Sequence, residues 1–303
     1  MNITVLDGYS INPGDISWAP LEKFGKLTCY DRTEYEQIAG RIKNADAVFV
    51  SKCRIDKNII DSCPSLRFIG VTATGYDNVD LQAARKRAIA VFNTPDYSTD
   101  AVAQHTFALI LELFNHVGDY NHSVHSGHWY QSRDFCYIRK PLALLSGRSL
   151  GIVGYGNIGR KVAEIGKAFG MGINIYSRNP EKTIKSDILT LHCPLTPENA
   201  GFIDEKFISR MKDGAILINT ARGGLVDEFA LASALYSGKL AAAGIDVLAQ
   251  EPPKKLHPLI ETPNCILTPH IAWMPIEARQ KVVEICTKNL ENFLSGERKN
   301  RVV

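Results

Sequence analysis

The chain is predicted to be an α/β protein of two domains, each a parallel sheet wound with helices on both sides. Three observations predict this. Short apolar runs alternate with helix-period patterns along nearly the whole sequence. A complete strand–turn–helix–strand unit lies at residues 148–178. The chain has 303 residues, more than one comfortable core, so two domains are expected.

The unit at 148–178 organises the rest. Ser149 to Val153 is a short apolar run that reads as a buried strand. Gly154, Gly156 and Gly159 follow at GxGxxG spacing. Val162, Ala163, Gly166 and Phe169 then form the buried stripe of a helix that Gly170 ends, and Ile173–Tyr176 is the next strand. Gly154 permits a tight turn, Gly156 lets the backbone approach a pyrophosphate, and Gly159 lets helix and strand pack closely. The helix N-terminus offers free N–H groups to the phosphates. A bare GxGxxG is weak, but this context predicts a dinucleotide site. Eighteen residues beyond Gly159 an acidic residue would hold the ribose of NAD; here Ser177 stands, followed by Arg178. A hydroxyl beside a guanidinium suits a 2′-phosphate, so NADP is favoured over NAD. The alternative is that Arg178 is a solvated charge and both cofactors bind.

Before this unit, Ile3–Leu6, Ala47–Val50, Phe68–Val71 and Ile89–Phe92 read as strands, with Thr33–Lys43, Lys57–Ser62 and Leu81–Ala88 helical between them. Asp80 is placed to cap the last of these helices. The loop Thr72–Tyr76 follows a strand end, where open α/β sheets bind ligands, and its N–H groups could hold a carboxylate. Pro95 breaks the pattern and marks a crossing into the second domain. A mostly apolar helix follows over Ala101–Asn115, and His105 on it reads as a packed or hydrogen-bonded core histidine. Tyr120–Pro141 is rich in His and aromatic residues and reads as an irregular arm that reaches a second subunit.

Beyond the glycine-rich unit, strands are expected at Asp187–His192, Ala215–Asn219, Ala242–Val247 and Cys265–Thr268. Helices are expected at Phe207–Met211 and Phe229–Tyr236, and Pro275–Leu294 is a closing helix that returns to the first domain. The domains are therefore expected at 1–96 with 275–303, and at 97–274.

Composition narrows the classes. At 45% hydrophobic, 22% charged and net +3, with no dense basic run, no nucleic-acid or membrane partner is implied. The seven cysteines are scattered without a CxxC and read as reduced thiols of a cytoplasmic protein, and no metal site is expected. The N-terminus opens on a strand without the marks of a signal peptide. No apolar run approaches the roughly 18 residues of a membrane helix.

Arg222, Glu251 and His270 each sit just past a strand end on one edge of the second sheet, so three distant positions can meet in one cleft. Hydride transfer at a hydroxyl needs a base for the proton, and histidine titrates near the working pH. A carboxylate beside it fixes the ring tautomer and favours the charged ring, which is the role expected of Glu251. A guanidinium recognises a carboxylate with two hydrogen bonds, which suits Arg222. Asp246 is expected to hold the nicotinamide carboxamide. Taken singly, each has a bland alternative as a surface or loop residue.

At GIVGYGNIGRKVA, LHCPLTPE, ILINTARGGLVDE, AAAGIDVLAQEPP and LTPHIAW the chain resembles the D-isomer-specific 2-hydroxyacid dehydrogenases, and within them the glycerate dehydrogenase (hydroxypyruvate reductase) branch. The resemblance implies a Rossmann cofactor domain inserted into a flavodoxin-like substrate domain, and a homodimer through the cofactor domain. It implies substrate binding at Arg222, a Glu251 partner for the base, and His270 as proton donor. It also implies cofactor contacts at Asn157, Ile158, Arg178, Cys193, Pro194, Thr220, Ala221 and Asp246, and a carboxylate site at the Thr74-Gly75 backbone. The expected activity is reduction of a small 2-oxo acid, such as hydroxypyruvate or glyoxylate, to the D-2-hydroxy acid with NAD(P)H. The alternative on this scaffold is a nucleotide-sensing, corepressor-like interaction protein. One departure stands out. The family carries a further strand and helix after the position of Arg178, whereas only Asn179–Ser186 precede the next strand here. Either the chain has a deletion beside the adenosine pocket, or a stretch was dropped from the numbering.

Overall fold

The computed structural model describes residues 1–254 and 256–303, and divides the chain into two compact units, Met1–Ser98 with Met274–Val303, and Thr99–Trp273. In chain order the first unit opens with β1 (Asn2–Val5), β2 (Lys26–Cys29), α1 (Tyr35–Ile42), β3 (Ala47–Val50), α2 (Lys57–Ser62), β4 (Phe68–Val71), α3 (Leu81–Lys86) and β5 (Ala90–Phe92). All neighbours in the sheet are parallel, in the order β2-β1-β3-β4-β5. This is the order of a flavodoxin-like sheet. Every residue of β3, β4 and β5 is buried, as continuous apolar runs covered on both faces must be. Asp56 and Asp80 cap α2 and α3 by accepting the N–H groups of Ile59 and Ala83. The sequence pattern missed β2. It is an edge strand of half-exposed Lys-Leu-Thr-Cys, and lacks the apolar run that marked the others.

The second unit runs through α4 (Thr99–Asn115), α5 (Val117–His125), β6 (Ser149–Val153), α6 (Asn157–Ala168), β7 (Gly172–Ile175), α7 (Pro180–Ile184), β8 (Ile188–Leu191), α8 (Glu205–Arg210), β9 (Ala215–Asn219), α9 (Glu228–Tyr236), β10 (Leu240–Ile245), α10 (Pro258–Glu261) and β11 (Cys265–Leu267). Its six parallel strands take the order β11-β10-β9-β8-β6-β7. After β6 the chain steps outward to β7, then returns to place β8 on the other flank of β6. The strand order therefore reverses between β6 and β8, and the glycine-rich turn leaves β6 at that reversal, where doubly wound sheets bind ligands. The last helix, α11 (Ile276–Ser295), belongs to the first unit, where Phe293 packs its ring 5.3 Å from that of Phe68 on β4.

One expectation is corrected. The arm expected to be irregular from Tyr120 begins as helix, because α5 runs to His125 before turns take over. Asn179–Ser186 holds the short helix α7, started by Pro180 and capped by Asn179, which accepts the N–H of Lys182. No strand is added there, and β7 is the edge of the sheet. Among the described residues no helix is long and apolar enough to cross a membrane, and no cluster of His, Cys, Asp or Glu could hold a metal ion.

Candidate active site

The glycine-rich turn has the shape its sequence demands. Gly154 has φ +95°, and a β-carbon there would lie 2.5 Å from the backbone of His192 and Cys193. On Gly159 a β-carbon would meet the carbonyl oxygen of Gly154 at 2.1 Å, so α6 sits directly against the turn. A β-carbon on Gly156 would touch nothing within 4 Å. Gly156 and Asn157 are exposed, at the first turn of a 12-residue helix. Open space in front of a helix N-terminus fits a dinucleotide pyrophosphate. Ile158 is half-buried behind this turn.

At the end of β7 Ser177 and Arg178 are both exposed, the Arg178 guanidinium over the Tyr155 ring at 5.5 Å from the centroid. No acidic side chain occupies the position of Ser177, so the residues present fit a phosphorylated or a plain ribose. Beyond β8, Cys193 is half-buried, and burial pushes its thiol above the ordinary range. Pro194 is exposed, and its carbonyl accepts a hydrogen bond from the Asn199 amide at 2.8 Å.

The turn after β9 is pinned by a buried amide. Asn219 accepts the N–H of Ala221 at 3.0 Å and donates to the carbonyl of Arg222 at 2.9 Å. Thr220 is buried and shares a 3.0 Å hydroxyl contact with Thr106 of α4. Arg222 keeps an extended backbone, and its guanidinium donates to the Ala221 carbonyl at 2.7 Å. Gly223 then makes the decisive contact. A β-carbon there would fall 1.9 Å from the carbonyl carbon of Leu248, so the Arg222 turn lies flat on the loop that leads to Glu251.

Glu251 and His270 form a hydrogen-bonded pair. His270 Nδ1 is 2.6 Å from Glu251 Oε2, while Glu251 Oε1 accepts the Leu248 N–H at 2.9 Å. A carboxylate only accepts, so Nδ1 carries the hydrogen and Nε2 is left to exchange protons. The pair is partly exposed, at 26% and 30% of the side-chain surface. His270 is held at φ +54°, an uncommon conformation for a side chain of this size, by its N–H, which reaches the carbonyls of Asp246 and Thr268 at 2.8 and 3.0 Å.

Asp246 lies behind this turn, in a hydrogen-bond network of its own. Its side chain has no exposed surface. It accepts the Thr268 hydroxyl at 2.6 Å and the N–H groups of Ile271 and Ala272 at 2.9 and 3.0 Å, with His105 Nε2 at 3.4 Å. Burial would raise its pKa, but the hydrogen bonds from His105, Thr268, Ala272 and Ile271 outweigh it and hold the carboxyl below its usual range. The carboxylate anchors the turn that carries His270. His105 takes part in this network through the Thr268 hydroxyl at 2.9 Å, in keeping with a hydrogen-bonded core histidine. In the first unit, Thr74 is exposed and donates to the Thr94 carbonyl at 3.2 Å, and Gly75 beside it is half-buried.

The profile of the D-isomer specific 2-hydroxyacid dehydrogenase, NAD binding domain, matches residues 107–272. The chain belongs to the D-isomer-specific 2-hydroxyacid dehydrogenases. A hydroxypyruvate reductase of Blautia hydrogenotrophica is 43% identical, with 98% of each chain covered. A glycerate dehydrogenase of Methylorubrum extorquens is 39% identical over 88% of each. The solved complex of an acyclic imino acid reductase with NADPH and D-Arg superposes at a TM-score of 0.87, with 30% identity and 100% of both chains covered. As a member of this family the chain is a nicotinamide-dependent oxidoreductase acting on a CH–OH group, and the six-stranded unit is its Rossmann domain. The nucleotide-sensing alternative gives way, because relatives this similar over their full length are reductases and dehydrogenases.

Proposed function

We propose that this dehydrogenase reduces a small 2-oxo acid of the hydroxypyruvate or glyoxylate type to the D-2-hydroxy acid. When bound, the reduced nicotinamide supplies the hydride. His270 Nε2 gives a proton to the carbonyl oxygen, Glu251 holds the charged ring in register through Nδ1, and Arg222 takes the substrate carboxylate. The 2.6 Å contact between His270 and Glu251 carries this reading, because it fixes which nitrogen faces the reaction. Gly154, Gly156, Asn157, Ile158 and Gly159 are assigned to the cofactor pyrophosphate, and Cys193, Pro194, Thr220 and Ala221 to the rest of the cofactor. The backbone of Thr74 and Gly75 is assigned to a carboxylate.

NADPH is the proposed reductant, since an exposed guanidinium stacked on Tyr155 beside Ser177 offers a 2′-phosphate two donors and no repelling charge. The protein is proposed to act as a homodimer in the cytoplasm. Tyr130, Phe135 and Ile138 of the arm are 95%, 89% and 87% exposed, an apolar display that a second copy would cover.

Initial rates with hydroxypyruvate, glyoxylate and pyruvate, each with NADPH and NADH, test the reading. Turnover of hydroxypyruvate or glyoxylate is expected, with NADPH preferred. An Arg178→Ala variant should raise the KM for NADPH about 10-fold and leave that for NADH alone, as loss of one charged phosphate contact does. Tight cofactor binding without turnover of any 2-oxo acid would remove it.

A further inference from the structure

A second histidine–carboxylate pair stands behind the first. Glu228 is the first residue of α9, after the capping Asp227. Its Oε2 lies 2.9 Å from His257 Nε2, and the two side chains are only 15% and 14% exposed. The tautomer of His257 follows from its other nitrogen: the backbone N–H of Leu259 points at Nδ1 at 3.3 Å, so Nδ1 accepts and the hydrogen sits on Nε2, which donates to Glu228. That leaves Glu228 Oε1, which accepts the N–H of Ala249 at 2.8 Å.

Ala249 is where this pair meets the first. The preceding N–H, that of Leu248, is the one taken by Glu251 Oε1. Two neighbouring amides of one loop are thus held by two carboxylates, one from the helix and one from the loop itself. On its other side the same stretch rests against Gly223, with no room for a β-carbon between them. Leu248–Ala249 is clamped between the Arg222 turn and Glu228, and the clamp sets where Glu251 can stand.

We propose that Glu228, oriented by His257, is a positioning residue for the proton-transfer pair, acting on Glu251 through the backbone of Leu248 and Ala249. This rests on the reading of Glu251 and His270 as that pair. Glu228 has two oxygens and two donors to satisfy. A glutamine of the same shape has one oxygen, so Glu228→Gln must release either Ala249 or His257 while filling the same space. Its amide hydrogens would also face the His257 Nε2–H, which cannot move to Nδ1 without losing Leu259.

The test is a double-mutant cycle on kcat with hydroxypyruvate and NADPH, using Glu228→Gln, Glu251→Gln and the double variant. Glu228→Gln should lower kcat about 10- to 100-fold, as loosening a reacting group by an ångström does, with KM and the dissociation constant of NADPH within about 3-fold. In the Glu251→Gln background the same change should lower kcat less than about 3-fold, because the two substitutions break one chain of contacts. If Glu228→Gln does not fold, as judged by circular dichroism, His257→Phe removes the same restraint from the other end. It should show the same split between kcat and cofactor affinity. A kcat within about 2-fold of wild type, or equal losses in both backgrounds, overturns the proposal. Failure of the underlying reading shows separately, as wild-type turnover in Glu251→Gln alone.

Discussion

Compare His270 with His257. Both lie in the Rossmann unit, both sit within 2.9 Å of a glutamate, and in both the partner's second oxygen ties down a backbone N–H of the Leu248–Ala249 stretch. They differ in what remains free. His270 gives its Nδ1 to the carboxylate and keeps Nε2 on a partly exposed ring. His257 spends both nitrogens inside the protein, one on Glu228 and one on Leu259. A carboxylate partner therefore does not by itself make a proton donor; the ring must also keep its other nitrogen for proton exchange. His192 is a third case. Nε2 contacts the Thr190 hydroxyl at 2.9 Å, Nδ1 is buried with no hydrogen-bond partner, and no carboxylate faces it among these contacts. Burial alone pulls its pKa down to about 3.

The largest effect should come from removing the uncommitted nitrogen. His270→Asn should lower kcat about 1000-fold, within the range for loss of a general acid, while NADPH affinity measured by fluorescence stays within about 3-fold. Asparagine is the better probe than alanine because it tolerates the left-handed backbone at this position. If the variant turns over like wild type, the distinction between the two histidines collapses. Next, Glu251→Gln keeps the shape of the pair but not its charge, and should lower kcat about 100-fold. Asp246→Asn would sharpen the comparison from below. An amide there must turn one donor towards an N–H group, and the loss of that bond should destabilise the protein by about 1–3 kcal/mol in urea titrations.

The smallest effect near neutral pH belongs to His192. Its folded pKa lies below the unfolded value of 6.5, so the unfolded chain binds the extra proton first. The stability it contributes is whole above pH 6.5 and is lost as pH falls towards about 3. Unfolding free energy should fall by about 1.4 kcal/mol per pH unit in that window, and His192→Gln should flatten the slope. An unchanged slope in the variant would assign the pH dependence to other groups.

Much of this was legible in the sequence. Ser149–Val153 and Ala215–Asn219 were read to the residue because central parallel strands must be continuously apolar. The three polar residues at strand ends stood out because each followed such a run, and Glu251 and His270 do meet. What stayed hidden lacked a local signal. Lys26–Cys29 is half polar because an edge strand is half solvated. The enclosure of Asp246 depends on Thr268, Ile271 and Ala272, more than 20 positions away. Glu228 and His257 are 29 residues apart, and no spacing rule joins a helix's first turn to the start of α10. Their pairing is a property of packing, which periodicity does not encode.

The contact at Gly223 has a consequence for anyone who would re-engineer specificity. With no gap between its backbone and Leu248, the arginine-bearing turn and the glutamate-bearing loop behave as a single cassette. Transplanting either one alone from a relative with a different substrate would open a mismatch between them. Swapping both together, with Glu228 and His257 included, is the graft that should keep its alignment.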